Sequence, residues 1–344
     1  MAYTVIDNPG EYFNSTVYNG NESTNVITTG LANDFVWVKA KDSAGVNHYL
    51  FDSVRGVQKN LHSNTTDAEV TEANTLTAFN SDGFTLGSDS YVNGSGQPHA
   101  NWNWRAGGSA STNTNGNVDT TVSANPTAGF SIISANTGST TGELTLGHGL
   151  NAVPSMFIWK NRDDAGQNWQ VYHKSTGTGL MRLNDTGAVN TDVTFWNTHT
   201  TTLFKMTTHM YAQNKNFIGY CFADVKGYQK SGSFIGNGNV SGSYTHLGFS
   251  PAFLFLKNTA DSGASWQLFD NKRNTYNQMN GRLFPNLSNA ENTDANNNID
   301  FLSNGFKMRT SNGDTNSNGV TFIYYAVASS PFVTGSSAIP TTAR

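Results

Sequence analysis

The chain has 344 residues, of which only 13% are charged, with a net charge of −4. So weak and mixed a charge excludes a general electrostatic footprint for nucleic acid or for an anionic membrane surface. Aromatic residues make up 12%, including 21 Phe and 7 Trp, which excludes a disordered chain and supplies material for cores.

The polar remainder is mostly Asn, Thr, Ser and Gly, residues that favour strands and turns over helices. The one cysteine, Cys221, lies in FIGYCFA (217–223) and reads as a small buried apolar side chain, so no internal disulfide braces the fold. No cofactor motif is visible.

Residues 1–10 read as an N-terminal lead-in. MAYTVIDNPGEYF carries neither the basic n-region nor the apolar run of a signal peptide. No apolar run reaches the roughly 20 residues of a membrane helix, so no membrane insertion is expected.

A first β repeat spans 11–106. Asn19-Gly20 suits a tight hairpin turn. Phe35–Lys39 is an apolar anchor strand, His48–Asp52 its partner, and TTDAEVTEAN (65–74) allows one capped helical turn. Leu76–Phe79 and Phe84–Leu86 form a hairpin about Ser81-Asp82-Gly83, and Pro98 opens a closing strand. Residues 107–124, with no aromatic and few large apolar residues, read as a linker or long loop.

The design then recurs. A second repeat, 125–226, has its anchor at Met156–Lys160 and its partner strand at Trp169–His173. Phe204-Lys205-Met206 follows, and Phe217–Ala223 closes it. A third, 227–334, has an Asn-Gly turn at Asn237-Gly238, the anchor hairpin Phe253–Asp270, a second hairpin over 299–308, and the closing strand Thr321–Ala328. Residues 335–344 read as a polar C-terminal tail. The steps Lys39 to Asp52, Lys160 to His173 and Lys257 to Asp270 are each 13 residues, and this equality is the firmest sign of an internal repeat. Near-continuous apolar anchors read as strands covered on both faces. The second strands alternate, with Trp266, Leu268 and Asp270 facing one way. No 3.6-residue periodicity is sustained. Many short strands with regular turn signals predict an all-β chain of three tandem antiparallel β-sandwiches, jelly-roll or lectin-like.

Candidate functional residues are few. Asp52 with Arg55, and Asp270 with Arg273, repeat D-x-x-R after the second strand, read either as a ligand clamp or as a strand-end ion pair; His173 replaces the aspartate in the second repeat. DTNSNG (314–319) begins like a calcium loop, but Tyr325 stands where the bidentate glutamate belongs. A polar loop is the simpler reading, with a weak cation site near Asp314 as the alternative. No zinc spacing, nucleophile elbow or paired carboxylates stand out, and no enzyme is expected. His48 takes the place of Trp169 and Trp266 and reads as a packed aromatic substitute. Trp102, Trp104 and Trp196 are the candidate glycan contacts if exposed, though the alternate positions of Trp102 and Trp104 suit one buried face.

NHYLFDSVRG (47–56), FNSDGFTLGSD (79–89), NWNWRAGG (101–108), SANPTAGFSI (123–132), WKNRDDAGQNWQVYH (159–173) and SSPF (329–332), with the ending TTAR (341–344), resemble repeats in tail-fibre-like and other virion proteins of bacteriophages, notably marine ones. The resemblance covers nearly the whole chain. It implies a lectin-like virion component, assembled in the host cytoplasm, with other virion proteins and host surface glycan as partners and a homotrimer as one oligomeric state. It supplies no catalytic residue. No shaft-forming coiled coil is visible, so virion protein is the broader expectation and tail fibre the narrower. A capsid or tail decoration protein and a free carbohydrate-binding lectin are the alternatives.

Overall fold

A computed structural model describes residues 4–333; the tail at 335–344 lies outside the described residues. The protein is all-β, built from antiparallel sheets. Three large sheets share one order of four strands: opening, closing, anchor, second. In the first, Phe13–Asn19 pairs with Pro98–Trp104, which pairs with Phe35–Ala40 and then Tyr49–Asp52. In the second the order is Phe130–Asn136, Asn216–Phe222, Met156–Asn161, Gln170–His173. In the third it is Gln229–Ile235, Thr321–Pro331, Phe249–Asn258, Gln267–Asp270. A small sheet accompanies each, with Gly83–Leu86, Leu203–Met206 and Gly305–Met308 at its centre or edge. One large and one small sheet together are called a unit below.

The anchor strands lack alternation because both of their faces are covered. Phe35 and Trp37 enter a core shared by all three units, whereas Val36 and Val38 pack with Phe84 and Leu86 of the small sheet. Likewise Ile158 faces the shared core, and Phe157 and Trp159 pack with Phe204 and Met206. Each large side chain withdrawn from water in this way contributes about 1.5–3 kcal/mol. Aromatic pairs join the units across the shared core: Phe35 stacks on Tyr220 at 4.2 Å, Phe222 meets Tyr325 at 4.7 Å, and Trp104 meets Phe253 edge-on at 5.4 Å.

Several expectations need correction. Within 107–124, Ser111–Asn113 pairs with Thr120–Asn125, and both join the edge of the second large sheet. An edge strand needs few apolar residues, so its composition resembled that of a loop. TTDAEVTEAN forms no helical turn; its Val70–Thr71 instead pairs with Lys59–Asn60. Asn19-Gly20 is not a hairpin turn, because the strand before it pairs with the distant Pro98–Trp104. Gly20 is required there since a Cβ would lie 2.2 Å from the Gly94 carbonyl oxygen. Asn237-Gly238 turns the chain, with Gly238 at φ +61°, but the strands it joins lie in different sheets. The second strand Gln267–Asp270 is buried at every position, so its alternation does not separate core from solvent.

Candidate functional site

The repeated lysines occupy corresponding places. Lys39, Lys160 and Lys257 stand next to last in their anchor strands and are wholly buried. Each ammonium is held by backbone carbonyls: Lys39 by Ala40 and Ser43, Lys160 by Asn161 and Thr66, Lys257 by Ala264 and Thr186. Burial pushes all three down to about 8. Thr66 and Thr186 belong to the preceding unit, so two of these lysines also fasten neighbours.

The D-x-x-R pairs are buried ion pairs at the joints. Arg55 Nε donates to Asp52 at 2.5 Å, and its other nitrogens reach Glu69 at 3.2 Å and the Leu50 carbonyl at 2.7 Å. Glu69 also accepts from Arg162 of the second unit at 2.9 Å. Arg273 repeats this: 2.5 Å to Asp270, 2.5 Å to Glu291, and Glu291 meets Lys41 of the first unit at 3.4 Å. Burial works to raise the Asp270 carboxyl, but the adjoining Arg273 charge, together with hydrogen bonds from Arg273 and the Lys272 amide, outweighs it and holds the group below its usual range. In the second unit His173 Nδ1 accepts from the Ser175 amide, so Nε2 carries the proton and donates to the Tyr324 carbonyl at 3.0 Å. Burial lowers this imidazole to about 4, keeping it neutral.

These contacts run in one direction around the molecule. Asp52 of the first unit accepts from Tyr220 in the closing strand of the second, at 2.8 Å. His173 of the second donates to the closing strand of the third, and Asp270 of the third accepts from Trp102 in the closing strand of the first, at 3.0 Å. A backbone bond follows the same cycle: Glu69 amide to Arg162 carbonyl, Val189 to Thr259, Glu291 to Lys41. The three units therefore close on themselves. Asn64, Asn184 and Asn286 each accept the backbone amide of His48, Trp169 and Trp266 respectively, at 2.8–3.0 Å. Sequence reading missed these asparagines and both glutamates, because each follows its strand at a different distance. His48 packs edge-on against Trp37 and accepts its indole N–H, as an aromatic substitute would.

Trp102, Trp104 and Trp196 are corrected as glycan contacts: 0%, 2% and 1% exposed, they offer no ring face to solvent. Their indole N–H groups donate to Asp270, the Tyr325 hydroxyl and the Gly179 carbonyl. Asp314 lies within a short helical turn, Gly313–Asn316, that Asn312 caps, and its carboxylate is 3.7 Å from Arg282. Among the described residues no group of three or more His, Cys, Asp or Glu is placed to hold a metal ion. Among the described residues no helix is long and apolar enough to cross a membrane.

Open clefts lie where one unit's closing strand ends and the next unit's opening strand begins. One of about 390 Å³ lies between Arg105–Gly108 and Ala124–Thr127, and one of about 440 Å³ is bordered by Asp224–Gly227 and His246–Phe249. The third, about 450 Å³, lies between Ala328–Ser330 and Phe13–Ser15, where the closing strand of the third unit approaches the opening strand of the first. Asn8, Asn14, Ser15, Ser250 and Ser329 line it, an amide- and hydroxyl-rich wall suited to hydrogen bonding. In the first cleft Asp34 is committed: it accepts from the Ser53 hydroxyl and from the Ala106 and Gly108 amides.

A family model described as a domain of unknown function (DUF7483) matches residues 8–331. The chain belongs to this DUF7483 family. That match spans all three units and the residues of all three joints, so the DUF7483 domain is the whole closed assembly rather than one unit of it. No curated protein and no solved structure matches the chain.

Proposed function

We propose that this DUF7483 protein is a structural, tail-fibre-like component of a bacteriophage virion, whose three tandem antiparallel sandwich modules make weak, repeated contacts with a cell-surface glycan. The observation that carries this reading is the cyclic arrangement, which sets one open cleft at each joint of a closed body. Repeated weak sites on such a body gain avidity without any new contact. The low charge and the Asn/Thr/Ser surface agree with recognition of neutral hydroxyl-rich polymers, and the phage-like motifs give the setting. Antibody-gold labelling of intact particles tests it. Label at the tail tip is expected; label spread over the head would make the protein a decoration instead, and unlabelled particles would overturn the assignment.

A further inference from the structure

The second unit departs from the other two at one place. In the first unit Leu76 pairs with Leu86, and Phe79 with Phe84; in the third, Ile299 pairs with Met308, and Phe301 with Phe306. At the corresponding position in the second unit Trp196 bridges Met206, and the ladder then stops. His199 takes the place of the phenylalanines, stacking on Phe204 at 3.9 Å. The units thus share one packing scheme, and the second has exchanged an apolar strand for Asn197–Thr200. A local break in an otherwise consistent design is where a site is expected.

A cleft of about 250 Å³ opens at this break, lined by Tyr172, Thr178, Trp196, Asn197, Thr198 and His199 among others. His199 is 93% buried; its Nδ1 accepts the Lys205 amide at 3.1 Å, while Nε2 has no hydrogen-bond partner. A buried polar atom left unpaired costs about 1–3 kcal/mol, which a ligand hydroxyl would recover. Burial, with the charges of His148 and Lys205, lowers this imidazole to about 3, and no lining side chain is charged near neutrality. The cleft therefore selects against ions. The half-buried Tyr172 ring, with amide and hydroxyl groups around it, fits a ring having one apolar face and several hydroxyls.

We infer that this cleft is a binding subsite for a single neutral monosaccharide unit, with His199 Nε2 bonding a ring hydroxyl. This rests on the glycan-recognition reading above and narrows it to one unit of the three. The test is titration of the intact protein with neutral hexoses and their oligomers, followed by calorimetry and amide chemical shifts. Two variants accompany it. His199→Phe restores the residue used by the other units, and Thr178→Trp fills the exposed rim. We expect at least a tenfold loss of affinity in both, with shift changes in the native protein centred on 172–178 and 196–199. Saccharide binding that both variants retain would overturn this subsite and leave the glycan reading standing. No binding of any neutral saccharide by the native protein would overturn both, whatever particle labelling shows.

Discussion

The joints between units are not equal. Two are charged: Asp52, Arg55, Glu69 and Arg162 link the first unit to the second, and Asp270, Arg273, Glu291 and Lys41 link the third to the first. The joint between the second and third places His173, Val189 and Thr259 at the corresponding positions, where neutral hydrogen bonds stand in for the ion pairs. The same backbone geometry is thus reached with two electrostatic schemes. A buried ion pair roughly balances Coulomb gain against desolvation, so either scheme can close a joint. What differs is the penalty for breaking it: removing one charge strands its partner, whereas removing a neutral donor leaves one carbonyl unmet.

The largest effect is therefore expected for Arg55→Leu, which leaves Asp52 uncompensated and Glu69 with less positive charge beside it, at about 3–5 kcal/mol in urea unfolding. His173→Leu at the neutral joint should cost less, about 1–3 kcal/mol. Equal losses would mean that the two schemes do not differ in kind. Next, Asp270→Asn combined with Arg273→Met should be less damaging than Arg273→Met alone, with a coupling of about 0.5–3 kcal/mol in a double-mutant cycle. Simple additivity would show that this pair does not act as a unit.

Acid sharpens the same contrast. His62, His148 and His173 are each lowered to about 4 by burial, so the unfolded chain takes up their protons first. Their folded values lie below the unfolded value of about 6.5. Their stabilising contribution is full above about 6.5 and declines as pH falls through 4. His173→Gln keeps a donor for the Tyr324 carbonyl without a titrating ring. Relative to its own stability at pH 7.5, it should lose less at pH 4.5 than the native protein. An unchanged slope would remove His173 from the acid response. Smallest of all, Lys174→Ala removes a half-exposed ion pair with Asp224 and should cost under about 1 kcal/mol, vanishing in high salt.

How far the sequence was legible follows from where each signal sits. The recurring anchor hairpin was readable because Lys39, Lys160 and Lys257 stand at a constant step from the strand end, and an anchor buried on both faces must be apolar throughout. The D-x-x-R pairs were readable because both partners lie within four residues. Glu69, Glu291 and Tyr220 were not, since they meet those pairs only after the chain has passed through loops of unequal length or into another unit. Composition misled at 107–124, where the exposed edge strand Ser111–Asn113 needs no apolar face and Thr120–Asn125 buries Val122 as its one large apolar residue. Tryptophan identity misled as well: Trp102 and Trp104 share one face of their strand, and that face is the shared core. Trp196 became informative only when its register against Met206 was compared with Leu76 and Ile299.

The third cleft has one further consequence. There the first and third units meet across a seam that no peptide bond crosses, yet it carries the same kind of buried ion-pair network as the covalent joint between the first and second units. Continuity of the backbone is then not what keeps the body closed. A protease nick in the exposed stretch near Ser109 should yield two fragments that elute as one particle under native conditions and separate only in denaturant.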